Sequence, residues 1–171
     1  MTPVVIALGS NLGDRVLHLR RAIDRIRERV DIVRISRVHE TAPVDAPEGS
    51  GPFLNMVVAG ATRLGPEELL AFLHEIEADL GRRRRQRNEP RIIDLDLIFY
   101  GAHLVRGGEI VVPHPRWRQR RFVLDPLAEL RLPWVDPESG VPLWPRRPAA
   151  SPPAPMEVSK GVRAETARPL Y

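Results

Sequence analysis

The spacing of apolar residues switches between period two and period 3.6 in a fixed order along the first hundred residues, and that order limits the folds open to the chain. Residues 3–9 carry the apolar run of Val4, Val5, Ile6, Ala7 and Leu8, a buried strand ended by the polar turn Gly9-Ser10-Asn11. Leu12, Val16, Leu19, Ile23, Ile26 and Val30 then recur at helical spacing with arginines on the other face, Ser10 or Asn11 being suited to cap the helix and Asp14 to its first turn. Residues 32–40 alternate as a strand, residues 41–52 form a loop rich in proline and glycine, and residues 53–62 form a further strand. Pro66 opens a second helix whose buried stripe is Leu69, Leu73, Ile76 and Leu80, with Gly81 at its end. An arginine-rich loop over 82–90 leads into a strand over 91–100. Beyond it, 104–112 read as a hairpin about Gly107-Gly108, and 117–130 as a helix interrupted near Pro126. The βαββαβ order predicts an α+β protein with a ferredoxin-like core and long loops.

Composition narrows the function. No cysteine is present, which excludes thiol catalysis, disulfide scaffolds and cysteine-ligated zinc. The net charge is +4, yet the pI is about 10.5 because Lys160 is the one lysine and every other cation is arginine. That usage favours an anionic ligand, nucleotide or nucleic acid, without choosing between them. Six of the 18 prolines lie between Pro145 and Pro169. Residues 1–144 are therefore expected to form one domain and 145–171 an extended or disordered tail. The run at residues 4–8 is too short for a membrane span, and a cytoplasmic location is expected.

The strongest chemical signal is Asp94-Leu95-Asp96. On a strand, Ile93, Leu95 and Leu97 face a core while both carboxylates project from the other side. Two such charges repel unless a cation lies between them. They read either as a hard-metal site, as for magnesium on nucleotide phosphates, or as a pair of arginine salt bridges on a solvated face. The flanking isoleucines Ile92 and Ile98 favour a recessed site. The preceding run Arg82-Arg83-Arg84-Arg85-Gln86-Arg87 can grip phosphates bidentately, and it holds no aromatic residue for stacking on bases. His114, stiffened between Pro113 and Pro115, is a candidate phosphate donor, and Asn55 can read the edge of a flat heterocycle. His18, His39 and His103 have no context that assigns them a role.

Taken in order, Ala7-Leu8-Gly9-Ser10-Asn11-Leu12-Gly13, Glu40-Thr41-Ala42-Pro43, Phe53-Leu54-Asn55, His74-Glu75-Ile76-Glu77, Pro90-Arg91-Ile92-Ile93-Asp94-Leu95-Asp96 and Val112-Pro113-His114-Pro115-Arg116 through Phe122 resemble one family. It is that of the 6-hydroxymethyl-7,8-dihydropterin pyrophosphokinases of folate biosynthesis. The resemblance implies a monomer with an α/β/α three-layer arrangement that binds MgATP, then the pterin, and forms AMP and the pterin pyrophosphate. It implies that Asp94 and Asp96 hold two Mg²⁺ ions and that Arg82 and Arg91 act on the phosphates, with Arg84 beside them. His114 and Arg120 would contact the triphosphate, and His74 and Glu77 the nucleotide side. Thr41, Pro43, Val44, Phe53, Asn55 and Phe122 would surround the pterin, with Phe122 stacking on its ring. The chain departs from the family at Asn88-Glu89, where members often carry an aromatic residue and glycine. Two other classes stay open on sequence alone: a nucleic-acid-binding module built on the arginine loop, and an interaction protein built on the proline-rich tail.

Overall fold

A computed structural model describes residues 1–42, 51–81 and 91–142. The tail expected over 145–171 lies outside the described residues.

Five strands make the main sheet. In chain order they are β1 (Thr2–Ser10), β2 (Val30–Ile35), β3 (His39–Thr41), β4 (Phe53–Thr62) and β5 (Asp94–Tyr100). Their spatial order is β2-β4-β1-β5, every pairing antiparallel, with β3 also on β4. Helix α1 (Arg15–Ile26) joins β1 to β2, and α2 (Pro66–Asp79) joins β4 to β5. This is the expected βαββαβ core, with β5 at an edge.

Strand alternation sorts the core into two layers. Val4, Ile6, Leu8, Met56, Val58, Leu95 and Leu97 pack against Leu19, Ile23 and Ile26 of α1 and Leu69, Phe72, Leu73 and Ile76 of α2. On the opposite face, Val5, Ala7, Val57, Ala59, Ile98 and Phe99 pack against Trp117 and, on α3 (Arg121–Glu129), against Val123 and Leu127. Phe99 meets Trp117 edge-on at 5.0 Å. The register with β1 slips at Val5/Ile6, so Ile98 and Phe99 both turn to the α3 face. Three layers, α/β/α, result.

Several local expectations change. The stripe of α1 is Leu19, Ala22, Ile23 and Ile26; Leu12 precedes the helix, which starts at Arg15, and both it and Val16 in the first turn are exposed. Its cap is Asp14, whose carboxylate accepts the Leu17 N–H at 3.0 Å. The strand expected over 32–40 is two strands. Ser36 separates them, its N–H donating to the Val57 carbonyl at 2.9 Å while its hydroxyl accepts the Val57 N–H at 2.9 Å. The expected break at Pro126 is absent: the ring lies on the buried face of α3, so packing outweighs one missing helical hydrogen bond. The break falls earlier, between a 3₁₀ turn at Trp117–Gln119 and α3. The hairpin forms as expected from β6 (Val105–Gly107) and β7 (Ile110–Val112), with Gly108 at φ +59.

Residues 131–142 are clipped onto that hairpin and the 3₁₀ turn by charge. Arg118 donates to Asp136 and, at 2.6 Å, to Glu138, which Arg106 also reaches at 2.6 Å. Burial pushes the Asp136 carboxyl up, but hydrogen bonds from Arg118, the Glu138 N–H and Ser139 outweigh it and hold the group below the usual carboxylate range. Arg118 is partly solvated, so Asp136→Ala should cost about 1 kcal/mol at neutral pH, or roughly 2–4 °C in a thermal melt. A carboxyl with a depressed native pKa stabilises fully above its unfolded value. The gap between wild type and variant should therefore close as pH falls below about 4, and a gap that widened in acid would contradict the assignment.

Candidate active site

Strand register alone brings the expected residues together. His39 pairs with Asn55, Asn55 with Gly9, and Gly9 with Asp94, giving one rung across four strands. One step along, Val57 pairs with Ala7 and Ala7 with Asp96; one step the other way, Thr41 pairs with Phe53. Directly paired residues share a face, and Ala7 faces the α3 layer. Asn55, Asp94 and Asp96 therefore rise from that face where α3 no longer covers it, and Gly9 leaves the space between them open. A methyl group at Gly9 would stand 3.0 Å from Asn55 Oδ1.

A cleft of about 990 Å³ lies over this rung and wraps around the β5 edge. At one end it is lined by Thr41, Phe53, Asn55 and Phe122, at the other by Leu70, His74, Glu77, Ile110 and Val111. Asp94 and Asp96 stand between the ends with Arg91, His114 and Arg120. Eleven of the fifteen residues named from sequence thus meet in one cavity. The other four, Pro43, Val44, Arg82 and Arg84, lie outside the described residues, as does the departure at Asn88-Glu89.

The contacts of the acidic pair are those of the arginine reading. Arg91 Nη1 donates to Asp94 Oδ2 and Arg120 Nη1 to Asp96 Oδ2, each at 2.6 Å. The two carboxylates are thus drawn apart by separate arginines, and both remain partly open to solvent. His114 Nδ1 accepts the Arg116 N–H at 3.1 Å, which leaves the ring proton on Nε2, 3.9 Å from Asp96 Oδ2. Burial lowers the His114 pKa; Asp96 opposes the shift, and Arg120 and Arg116 add to it. At neutral pH His114 is therefore an uncharged N–H donor aimed at the acidic pair.

Sequence reasoning missed the residues that hold this strand. Ser10 and Asn11 were expected at a turn and a helix cap. Instead the Ser10 hydroxyl donates to the Ile92 carbonyl at 2.5 Å, and Asn11 holds Arg91 from both sides. Its Oδ1 accepts the Arg91 N–H at 2.7 Å and its own N–H donates to the Arg91 carbonyl at 3.1 Å. Buried Glu77, expected on the nucleotide side, does line that end, yet its Oε1 accepts the Leu95 N–H at 2.8 Å. It thereby satisfies the open edge of β5 between the two aspartates. The His114 N–H serves the Ile98 carbonyl further along, at 3.0 Å. Leu70, Ile110 and Val111 also escaped notice, since an apolar residue facing a cleft reads in sequence like one facing a core.

Two carboxylates on one face of a strand are hard oxygen donors of the kind a divalent cation takes, although no group of three or more His, Cys, Asp or Glu is placed to hold one among the described residues. Such a site is completed by phosphate oxygens and water, which is how magnesium binds with nucleotides. No helix among the described residues is long and apolar enough to cross a membrane.

Comparison with known proteins agrees with this geometry. Residues 5–132 match the family model described as 7,8-dihydro-6-hydroxymethylpterin-pyrophosphokinase (HPPK). The chain is 43% identical over 127 residues to a 2-amino-4-hydroxy-6-hydroxymethyldihydropteridine pyrophosphokinase of Bacillus subtilis, covering 73% of this chain and 75% of that protein. It is 45% identical over 129 residues to a mitochondrial folate synthesis bifunctional protein of Arabidopsis thaliana, where the match covers 74% of this chain and 23% of the relative. The chain thus spans about a quarter of the length of such plant relatives. Among solved structures, a Plasmodium falciparum HPPK-DHPS with pterin and p-hydroxybenzoate superposes with a TM-score of 0.64 at 15% identity, over 83% of this chain and 40% of that one. That likeness shows the shared ferredoxin-like fold. The chain belongs to the HPPK family, ATP-dependent pyrophosphokinases that act on hydroxymethyldihydropterin in folate biosynthesis.

Proposed function

We propose that this cleft transfers the terminal pyrophosphoryl group of ATP to the hydroxymethyl oxygen of 6-hydroxymethyl-7,8-dihydropterin. The observation that carries the reading is the rung itself, which sets an acidic pair between an end suited to a flat heterocycle and an end suited to a nucleotide. The pterin oxygen attacks the β-phosphorus, the bond from that phosphorus to the α-bridging oxygen breaks, AMP leaves and the hydroxyl proton is lost. The chain acts as a monomer in the cytoplasm, on small molecules rather than nucleic acid.

Asp94 and Asp96 would hold Mg²⁺, two ions shared with the phosphates. When bound, Mg²⁺ supplies charge neutralisation and orients the phosphate oxygens. With the aspartates on metal, Arg91 and Arg120 would be available to the phosphates, where a rigid guanidinium fork suits bidentate contact. His114 donates its Nε2 proton to the same oxygens. Arg82 and Arg84 add phosphate contacts from the basic loop. His74 lies beside the nucleotide with Leu70, Ile110 and Val111 as apolar walls, and Glu77 supports the strand there. On the pterin side, Asn55 Nδ2 donates to Thr41 Oγ1 at 2.8 Å. This fixes the amide and leaves Oδ1 over Gly9 to accept an N–H from the ring. Phe53 and Phe122 enclose the ring, with Phe122 stacking, and Pro43 and Val44 complete the edge.

Two variants test this division, with AMP and pterin pyrophosphate measured by chromatography. Asp96→Ala should keep its fold by circular dichroism and lose at least about 100-fold in turnover, since metal positioning carries the chemistry. A loss of less than about tenfold would remove the aspartate from that role. Gly9→Ala places a methyl group against Asn55 Oδ1. It should raise KM for the pterin about fivefold or more and leave KM for ATP near the wild-type value, because it blocks one ring contact without touching the phosphate end. Equal changes in both constants would count against separate ends.

A further inference from the structure

We infer that His39 and Glu129 form a positioning pair that sets the width of the pterin slot, although neither side chain lines the cleft. The inference rests on the proposed pterin reaction and adds residues to it.

Glu129 is the last residue of α3, and Phe122 stands in the first turn of the same helix. The Glu129 carboxylate reaches off the helix to the segment entering β3. Its Oε2 accepts the Arg37 N–H at 2.9 Å, and its Oε1 lies 3.0 Å from His39 Nε2 and 3.4 Å from Arg37 Nε. His39 and Glu129 side chains are each about one-fifth exposed, so their contact is sheltered, whereas Arg37 is largely in solvent and adds little.

His39 lies on the functional rung, directly paired with Asn55. Two residues on and on the same face, Thr41 holds the Asn55 amide. The short strand that carries Thr41 and backs Asn55 is therefore tied through one carboxylate to the helix that carries Phe122. A flat ring between Asn55 and Phe122 meets one wall from each element, so the distance between those walls depends on the tie. The phosphate end depends on the tie less: Asp94 and Arg91 are held through Gly9, Asn11 and the neighbouring Ser10, with Arg120, which caps α3, the exception.

Steady-state AMP formation by the whole chain, with each substrate varied at saturation of the other, separates the possibilities. His39→Ala and Glu129→Ala should each raise KM for 6-hydroxymethyl-7,8-dihydropterin about fivefold or more while KM for ATP stays within about twofold. The double variant should be no worse than the singles, as expected for one shared contact. His39→Gln keeps a side-chain donor and should recover part of the loss. If Glu129→Ala fails to fold, Glu129→Gln has the same shape without the charge and carries the same comparison. An unchanged pterin KM overturns the inference. So does a parallel rise for ATP, which would mark general loosening, or additive effects in the double variant. Failure of the underlying reading looks different: the wild-type chain then forms no AMP with the pterin, and the inference falls with it.

Discussion

Asp94 and Asp96 leave the same face of an edge strand two residues apart, and the strand must keep them there against their mutual repulsion. Backbone pairing to β1 sets their position along the sheet. Glu77 takes the Leu95 N–H that the open edge would otherwise leave unpaired, and Asn11 and Ser10 fix the two residues that enter the strand. A buried carboxylate, a buried amide and a hydroxyl are therefore given over to the backbone around two other carboxylates. Each costs stability to bury unless paired, so their placement ties the site to the fold.

The same sheet explains why one cleft has two unlike ends. On the β4 side of the acidic pair, the floor is made by Gly9 and Asn55, and α3 begins at Arg121, so that Phe122 in its first turn borders the slot. On the outer side no strand among the described residues pairs with β5, so the cleft turns over its edge to α2 and β7, where Leu70, Ile110 and Val111 give apolar cover. Arginines reach the middle from both sides. Arg91 meets Asp94 and Arg120 meets Asp96, so each aspartate has a cation of its own.

Much of this was legible beforehand because it depends on periodicity. Alternation placed Leu95 and Leu97 in the core and both aspartates opposite, and the βαββαβ order gave the sheet. The sequence misled where tertiary contacts overrule a local preference. Ser10 and Asn11 look like cap residues, yet Asp14 caps the helix because partners eighty or more residues away occupy the other two. Pro126 looks like a break, yet it is buried within an unbroken α3. His39 carried no signal because its meaning lies in Glu129, ninety residues on. The family resemblance, by contrast, supplied what spacing could not: the pterin as the proposed substrate, and the roles proposed for His74 and Phe122.

The most direct test is to titrate Mn²⁺, which is paramagnetic and takes the same hard ligands as Mg²⁺, into the chain with and without a non-hydrolysable ATP analogue, following free metal by electron paramagnetic resonance. The account predicts weak metal binding alone, because arginines hold both carboxylates, and about two tightly bound ions per chain when the analogue is present. It also predicts that Asp94→Asn combined with Asp96→Asn abolishes the tight binding beyond that of the free analogue. Tight binding that survives in the double variant would show that the metal and its nucleotide sit elsewhere.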